Sequence, residues 1–364
     1  MGIYLALPPI VLILGIITKT TIRQFDSRKI FLFSTYLILF LIMGLRGYNV
    51  GVDNWNYINL FYKIGQAPFI EAITKVIPSA PIYCLYNKLL YLICPHAVFF
   101  SLCNALVACI CTGIFFYHFS KNVVFSVYCH ITVYLYLSSF NMTRQYLAIS
   151  LILLTTCLID DNKILKAIIV YVLAVGIHNT AFIMLPIILL IRLKITPNRA
   201  ISFAVSFIIF SLCADLLFEP FIKIFTQIFP QYQWYLGGYN PLVFDSGRGD
   251  NFYLKIFYLF FIIIAYYMVV KNRNNLHPIP NEVSKLLLIV SIGLVLGLSD
   301  AANLTLGRFF KYFEVYLCCF IPNVIELFGK KKLLIYYWCY ILLWFPYLIC
   351  LSRNLAGVVP YSLI

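Results

Sequence analysis

The sequence predicts an all-α polytopic integral membrane protein of about twelve transmembrane helices with long outer loops, and three observations carry that prediction. Apolar residues fill 63% of the 364 positions and charged residues only 11%, with a mean hydropathy of +0.92. That is too little charged surface for a water-soluble domain of this length. The apolar residues form repeated runs close to the ~20 residues a helix needs to cross a bilayer. The lysines and arginines, finally, are shared unevenly among the gaps between those runs. The whole chain, 1–364, reads as one polytopic domain.

In chain order, spans are expected near 3–18, 30–45, 97–119, 123–139, 144–159, 163–177, 179–191, 200–214, 252–270, 286–300, 308–328 and 333–350. The first opens with MGIYLALPP, which lacks the basic stretch of a cleavable signal, so it is expected to stay as a membrane helix. Residues 81–95, PIYCLYNKLLYLICP, are apolar but short, with a proline at each end. They are expected to form an interfacial or re-entrant helix. Residues 163–177 and 179–191 are also short and meet at Gly176-Ile177-His178 with almost no loop. Two outer loops, 46–96 and 215–251, are long, and long loops in compact proteins tend to be functional.

The gaps 18–29, 120–122, 160–166, 192–199, 271–285 and 329–332 hold most of the 27 basic residues. By the positive-inside rule they face the cytoplasm and both termini face outward. The net charge of +14 is thus a topology signal, and no nucleic-acid partner follows from it. The twelve cysteines fall mostly within spans. Neither Cys109-Ile110-Cys111 nor Cys318-Cys319 has histidine or carboxylate neighbours at metal-ligand spacing, so they read as small apolar side chains. No metal or other cofactor is expected, and no Walker loop, dinucleotide fingerprint or HExxH is present.

Polar residues expected on the outer side gather at span ends. Arg46 closes the second span within LRGYNVGVDNWNY, which also supplies Asp53, Asn54, Trp55 and Tyr57. Arg144 opens the fifth, His178 sits at the junction of the sixth and seventh, and Arg308 opens the eleventh, with Lys311 and Glu314 on the same helical face. The second outer loop adds Tyr239, Asp245, Arg248 and Asp250. Structural readings compete for several of these: Arg46 complements a helix C-terminus, Lys311 and Glu314 can pair, and aromatics favour the membrane interface. As an ensemble they say more. Two arginines at helix N-termini combine guanidinium forks with free backbone N–H groups, which suits a multiply charged anion such as diphosphate. Tyrosines, tryptophans and asparagines around them suit sugars. An anionic glycolipid handled at the outer leaflet fits the set.

The pattern R-G-x-x-V-G-x-D-x-x-x-Y, from Arg46 to Tyr57, resembles the EpsG family of polytopic proteins in bacterial exopolysaccharide and O-antigen synthesis, related in role to Wzy-type polymerases. Phe140-Asn141-x-x-Arg144-Gln145, Gly176-Ile177-His178-Asn179-Thr180-Ala181 with Pro186, Gly307-Arg308 with Tyr312, and the tail Val359-Pro360-Tyr361 extend the resemblance along nearly the whole chain. Val52 stands where the family often has threonine.

The resemblance implies a glycosyltransferase of the bacterial cytoplasmic membrane that joins undecaprenyl-diphosphate-linked oligosaccharide repeat units on its outer face. Those lipid-linked oligosaccharides would be both donor and acceptor, and a chain-length regulator protein would be a partner. A C-type glycosyltransferase-like architecture is implied by analogy with O-antigen ligases. On this reading Arg144, Arg308 and Lys311 bind the diphosphate, and His178 is the base, with Asp53 the second candidate. Arg46, Asn54, Trp55, Tyr57, Tyr239 and Arg248 contact the glycan, and Arg46 and Asp53 either pair to shape the first outer loop or hold a sugar hydroxyl. The competing functions are an O-antigen ligase-like transferase, which differs in its acceptor, and a lipid-linked oligosaccharide flippase, which would carry charge deep in several helices.

Overall fold

The computed structural model describes residues 1–21, 26–196, 280–298 and 304–363, together with single positions between 198 and 267. They divide into two compact units, Met1–Leu193 with Ile321–Ile364, and Lys194–Phe320. All regular elements among the described residues are helices.

The first unit starts with α1 (Gly2–Thr21) and α2 (Ser27–Gly44). The first long loop then folds as three helices, α3 (Asn54–Gln66), α4 (Phe69–Thr74) and α5 (Pro81–Ile93). There follow α6 (Ala97–Phe119), α7 (Val123–Thr132), α8 (Leu135–Ser138), α9 (Thr143–Asp160) and α10 (Ile164–Ile177). A 3-10 helix, Asn179–Met184, leads into α11 (Leu185–Ile191). Beyond it, α12 covers Asn281–Leu298 and α13 Leu304–Ile325, and a 3-10 turn with Gly329 at φ +56° delivers the chain to α14 (Lys332–Ser352).

Among the described residues, four helical stretches are long and apolar enough to cross a membrane: Gly2–Thr20, Ser27–Gly44, Ala97–Phe119 and Phe309–Ser352, the last covering part of α13 and all of α14. Three shorter apolar helices, Val123–Thr132, Ile164–Ile177 and Asn179–Ile191, occupy other expected spans. The expected spans 200–214 and 252–270 lie largely outside the described residues. One expected span is broken. Tyr134 adopts a left-handed conformation (φ +68°), which stops α7 and restarts the chain as α8, so 123–139 is not a single helix. The break lets the Tyr136 hydroxyl reach the Leu39 carbonyl at 2.7 Å.

Inside an apolar bundle each backbone or hydroxyl group needs a protein partner. Pro8 has no N–H, so the Tyr4 carbonyl in α1 loses its helical donor; the Tyr347 hydroxyl of α14 donates to it instead, at 2.8 Å. In α9, Ser150, Thr155 and Thr156 return their hydroxyls to carbonyls one turn back, at 2.7–2.9 Å. That is how a helix with four polar residues past its first turn can sit among apolar ones. Most described cysteines are buried, and all are free thiols.

The first unit has two distinct polar ends, and they follow the charge map. At one end Asp26 caps α2 and accepts from the Tyr117 hydroxyl at 2.7 Å, while Arg28 donates to the Tyr117 and Ser120 carbonyls. His118 meets Asp160 at 3.0 Å, Arg192 reaches Asn162, and Asn323 bridges to Phe119 and Lys121. These are gaps that the sequence assigns to the cytoplasm. At the other end the segments 45–54, 140–144 and 354–363 meet, as described below. Cysteines introduced at Asn56 and Asn354 should therefore react with an impermeant maleimide from one face of sealed membranes, and those at Asn162 and Lys331 from the opposite face. Labelling of positions 56 and 162 from the same face would refute this arrangement.

Candidate functional site

Arg46 is the centre of the second polar end. It follows the last turn of α2, is 2% exposed, and donates through Nη1 to the Met43 carbonyl and through Nη2 to Asn54 Oδ1 at 3.0 Å. Its guanidinium carbon lies 4.9 Å from the centre of the Phe140 ring, within cation–π range. Burial lowers the guanidinium to about 10, with Tyr136, Tyr4 and Tyr361 opposing the shift, so it stays cationic at neutral pH.

The expected pairing of Arg46 with Asp53 does not form. Asp53 is half-buried, and its carboxylate is 3.5 Å from the Asn56 amide. Chemistry explains the exchange. The inner position also has to donate to the Gly47 and Tyr48 carbonyls, and Asn54 Nδ2 does so at 3.3 and 3.2 Å. A carboxylate has no donors, whereas an amide accepts from Arg46 Nη2 and donates to both carbonyls together. The turn before α3 depends on Gly51, whose φ is +102° and where a Cβ would fall 2.9 Å from the Phe140 carbonyl oxygen.

The helices of the 46–96 excursion have their own core. Ile58, Phe61, Leu90, Ala97 and Phe100 pack together, and the Phe61 and Phe100 rings stack at 5.0 Å. Lys88 is buried in α5 and donates to the Gly65 and Ala67 carbonyls at 2.5 and 2.7 Å, placing a cation at the C-terminus of α3. The predicted short helix at 81–95 is thus confirmed as a helix, packed on α3, α4 and α10.

Its first turn lies beside α9 at Arg144 and beside α10 at Gly176. Arg144, half-buried in the first turn of α9, holds its guanidinium 5.9 Å from the centre of the Tyr83 ring. Burial pushes the Tyr83 phenol well up, neighbouring Tyr57 adds to the rise, and Arg144 acts against it. Met142 at the N-cap gives α9 no side-chain cap. One residue before Tyr83, Ile82 packs against Gly176 so closely that a Cβ there would lie 2.2 Å from Ile82 Cδ1. His178 follows two residues later as the extended cap of α10, nearly buried, with Nδ1 2.6 Å from the Thr180 hydroxyl. Residues 81–83 of α5 therefore lie against both the Arg144 and the His178 elements.

The remaining expected residues are placed as follows. Trp55 is half-exposed beside Tyr48, with ring centres 6.1 Å apart, and Tyr57 is half-buried. Asn54 is fully buried. In the second unit Lys311 pairs with the buried Glu314 at 2.8 Å. The Arg308 side chain, Tyr239 and Arg248 lie outside the described residues. Sequence reasoning missed Tyr83 as the platform under Arg144, and Lys88 as the cap on α3. A lone lysine in an apolar stretch was the available signal for the second.

A family model described as the EpsG family matches residues 29–363, nearly the whole chain, while no curated protein and no solved structure matches.

Replacing Asn54 with alanine should leave the buried guanidinium and two carbonyls short of partners and destabilise the protein by roughly 1–3 kcal/mol. Asn54→Asp should fall between alanine and the native residue, because it restores the acceptor without the donors. Melting temperatures of the purified protein in detergent test this, and equal values for Asn54→Ala and the native protein would refute the role assigned to Asn54.

Proposed function

The chain belongs to the EpsG family, and from that premise we propose that it polymerises undecaprenyl-diphosphate-linked oligosaccharide repeat units by en bloc glycosyl transfer at the outer face of the bacterial cytoplasmic membrane. The family itself implies an exopolysaccharide polymerase-type role. The observation that supports the finer reading is that a half-buried arginine in the first turn of α9 and a nearly buried histidine at the end of α10 lie on two elements that each pack against residues 81–83.

In this reading the growing glycan on undecaprenyl diphosphate is the donor. The acceptor is the non-reducing-end hydroxyl of the next lipid-linked unit. The acceptor oxygen attacks the anomeric carbon, the bond from that carbon to the diphosphate oxygen breaks, and undecaprenyl diphosphate leaves with the electron pair. Arg144 and the first-turn N–H groups of α9 stabilise the charge that develops on the diphosphate. His178 takes the acceptor proton: if Nδ1–H donates to Thr180, Nε2 is the basic nitrogen. Asp53, Trp55 and Tyr57 form the lip that receives the sugars, with Arg46 and Asn54 holding that lip from behind. Arg308 and Lys311 are assigned to diphosphate binding from the sequence, and Tyr239 and Arg248 to the glycan. A C-type glycosyltransferase-like architecture with about twelve spans belongs to the same proposal, as does a chain-length regulator partner.

Arginine-to-lysine exchange separates bidentate anion binding from charge alone. Arg144→Lys and Arg308→Lys should each lower polymer about ten- to a hundredfold, the loss of a charge-assisted hydrogen bond of roughly 1.5–3 kcal/mol. Tyr83→Phe should keep the ring under Arg144 and the activity, whereas Tyr83→Leu should lower it severalfold. His178→Gln should accumulate normally and make little polymer. Native polymer from both lysine variants, with protein present by immunoblot, would defeat the diphosphate site.

A further inference from the structure

The tail contains the one motif that the proposed chemistry leaves unused, Val359-Pro360-Tyr361, and it does not simply trail from α14. After Ser352 the chain folds back through two residues with positive φ, Asn354 (+51°) and Gly357 (+61°). Asn354 closes the fold by exchanging side-chain hydrogen bonds with both backbone groups of Val359, at 2.8 and 2.9 Å. Ala356 and Val358 are then buried.

From there the tail runs along the segment that precedes α3. Val52 and Gly51 donate their N–H groups to the Ala356 and Gly357 carbonyls at 3.4 and 2.9 Å. Gly47 donates to the Ser362 carbonyl at 2.7 Å, and Arg46 pairs antiparallel with Leu363. Tyr361 anchors the far half: its hydroxyl donates to the Ile42 carbonyl at 3.1 Å, and its ring meets Tyr4 edge-on at 5.7 Å. Both ends of the Arg46–Val52 segment are therefore held by backbone bonds to a strand of chain that touches nothing else in the proposed chemistry.

Two glycines make the approach close enough. A Cβ on Gly47 would lie 2.1 Å from Ser362 Oγ and 3.3 Å from its Cβ and carbonyl oxygen, and one on Gly357 would lie 2.6 Å from Val52 Cγ2. Such contacts are built for backbone-to-backbone pairing.

We propose that residues 356–363 are a positioning strap for the outer site: by pairing with Arg46–Val52 they fix where α3 begins, and with it Asp53, Trp55 and Tyr57. This rests on the glycan role assigned above to the start of α3. The strap makes no contact with the reacting atoms; it acts by holding the lip in one place, which is how distant residues enter the geometry of a transfer reaction. A segment between two glycines has little stiffness of its own, so external pairing is what defines its conformation.

Two variants of the full chain test the strap. Gly47→Val adds a branched side chain where Ser362 already crowds the first carbon, and so pushes the strap away without altering the tail. Gly47→Cys with Ser362→Cys ties strap to loop, since the two Cβ atoms would be 3.3 Å apart, near the ~3.5–4.5 Å of disulfides. The first readout is tryptic cleavage after Lys63, an exposed residue of α3, in purified protein in detergent. The second is polymer made by a deletion strain of the native host carrying each variant.

Gly47→Val should expose the Lys63 bond to trypsin and lower polymer at least tenfold at unchanged abundance. The double cysteine variant should form its disulfide under mild oxidation, keep Lys63 protected and polymerise like the native protein. The strap is refuted if Gly47→Val behaves as native, or if polymer falls while Lys63 stays as protected as before. It is equally refuted if the disulfide-bonded protein is inactive, which would mean that the strap has to move. Should Gly47→Val not accumulate, the double variant decides alone, because failure to cross-link or inactivity when cross-linked overturns the proposal. If even the native gene supports no polymer, the functional reading fails, and cleavage after Lys63 still decides whether the strap holds α3.

Discussion

A guanidinium buried beside the end of α2 sets the constraints on one polar end of the first unit. Arg46 carries a full charge at 2% exposure, and its observed partners are a backbone carbonyl, an amide oxygen and an aromatic face. Removing a charge from water without such partners costs several kcal/mol, so each contact must be met at once. The Met43 carbonyl brings in the last turn of α2, Asn54 the first turn of α3, and Phe140 the turn ahead of α9. Two neighbouring segments and one nearly a hundred residues further along the chain are thereby brought to one cation.

From that point the geometry propagates by packing. Asn54 opens α3, α3 shares a core with α5 and α6, and Lys88 closes the C-terminus of α3 from within α5. The first turn of α5 then touches both Arg144 through Tyr83 and the end of α10 through Ile82. The long 46–96 segment thus behaves as a small group of helices that holds a wedge between two helix ends. The tail completes the ring by pairing with the same segment that carries Arg46. Residues from both ends of the chain contribute, because Tyr4 of α1 meets Tyr361 of the tail and receives Tyr347 of α14.

The two ends of this unit differ in chemistry as well as position. The end assigned to the cytoplasm is joined by ordinary polar contacts: Asp26 with Tyr117, Arg28 with the carbonyls closing α6, His118 with Asp160. Many of these are exposed, and exposed ion pairs add little stability. At the other end Arg46 and Asn54 are buried and the partners of Arg46 are neutral groups.

The sequence by itself determined the class of protein. Apolar run lengths and the skew of lysine and arginine define a helical membrane protein and sort its gaps into two sets, because solvent and charge act on composition without reference to contacts. The same reading finds the polar clusters around Arg46, Arg144 and His178, and expects a helix at 81–95 from its bounding prolines, which forms as Pro81–Ile93. Only the tertiary structure decided who pairs with whom. The sequence offers Asp53 as the partner of Arg46; the fold gives that place to the adjacent Asn54, because two carbonyls beside the guanidinium also need donors. The break at Tyr134, the platform of Tyr83 under Arg144 and the pairing of residues 46–52 with 356–363 each depend on chain segments dozens to hundreds of residues apart. Local pattern registers what a residue can do, whereas the partner that satisfies it is fixed by which backbone groups the fold leaves unpaired nearby.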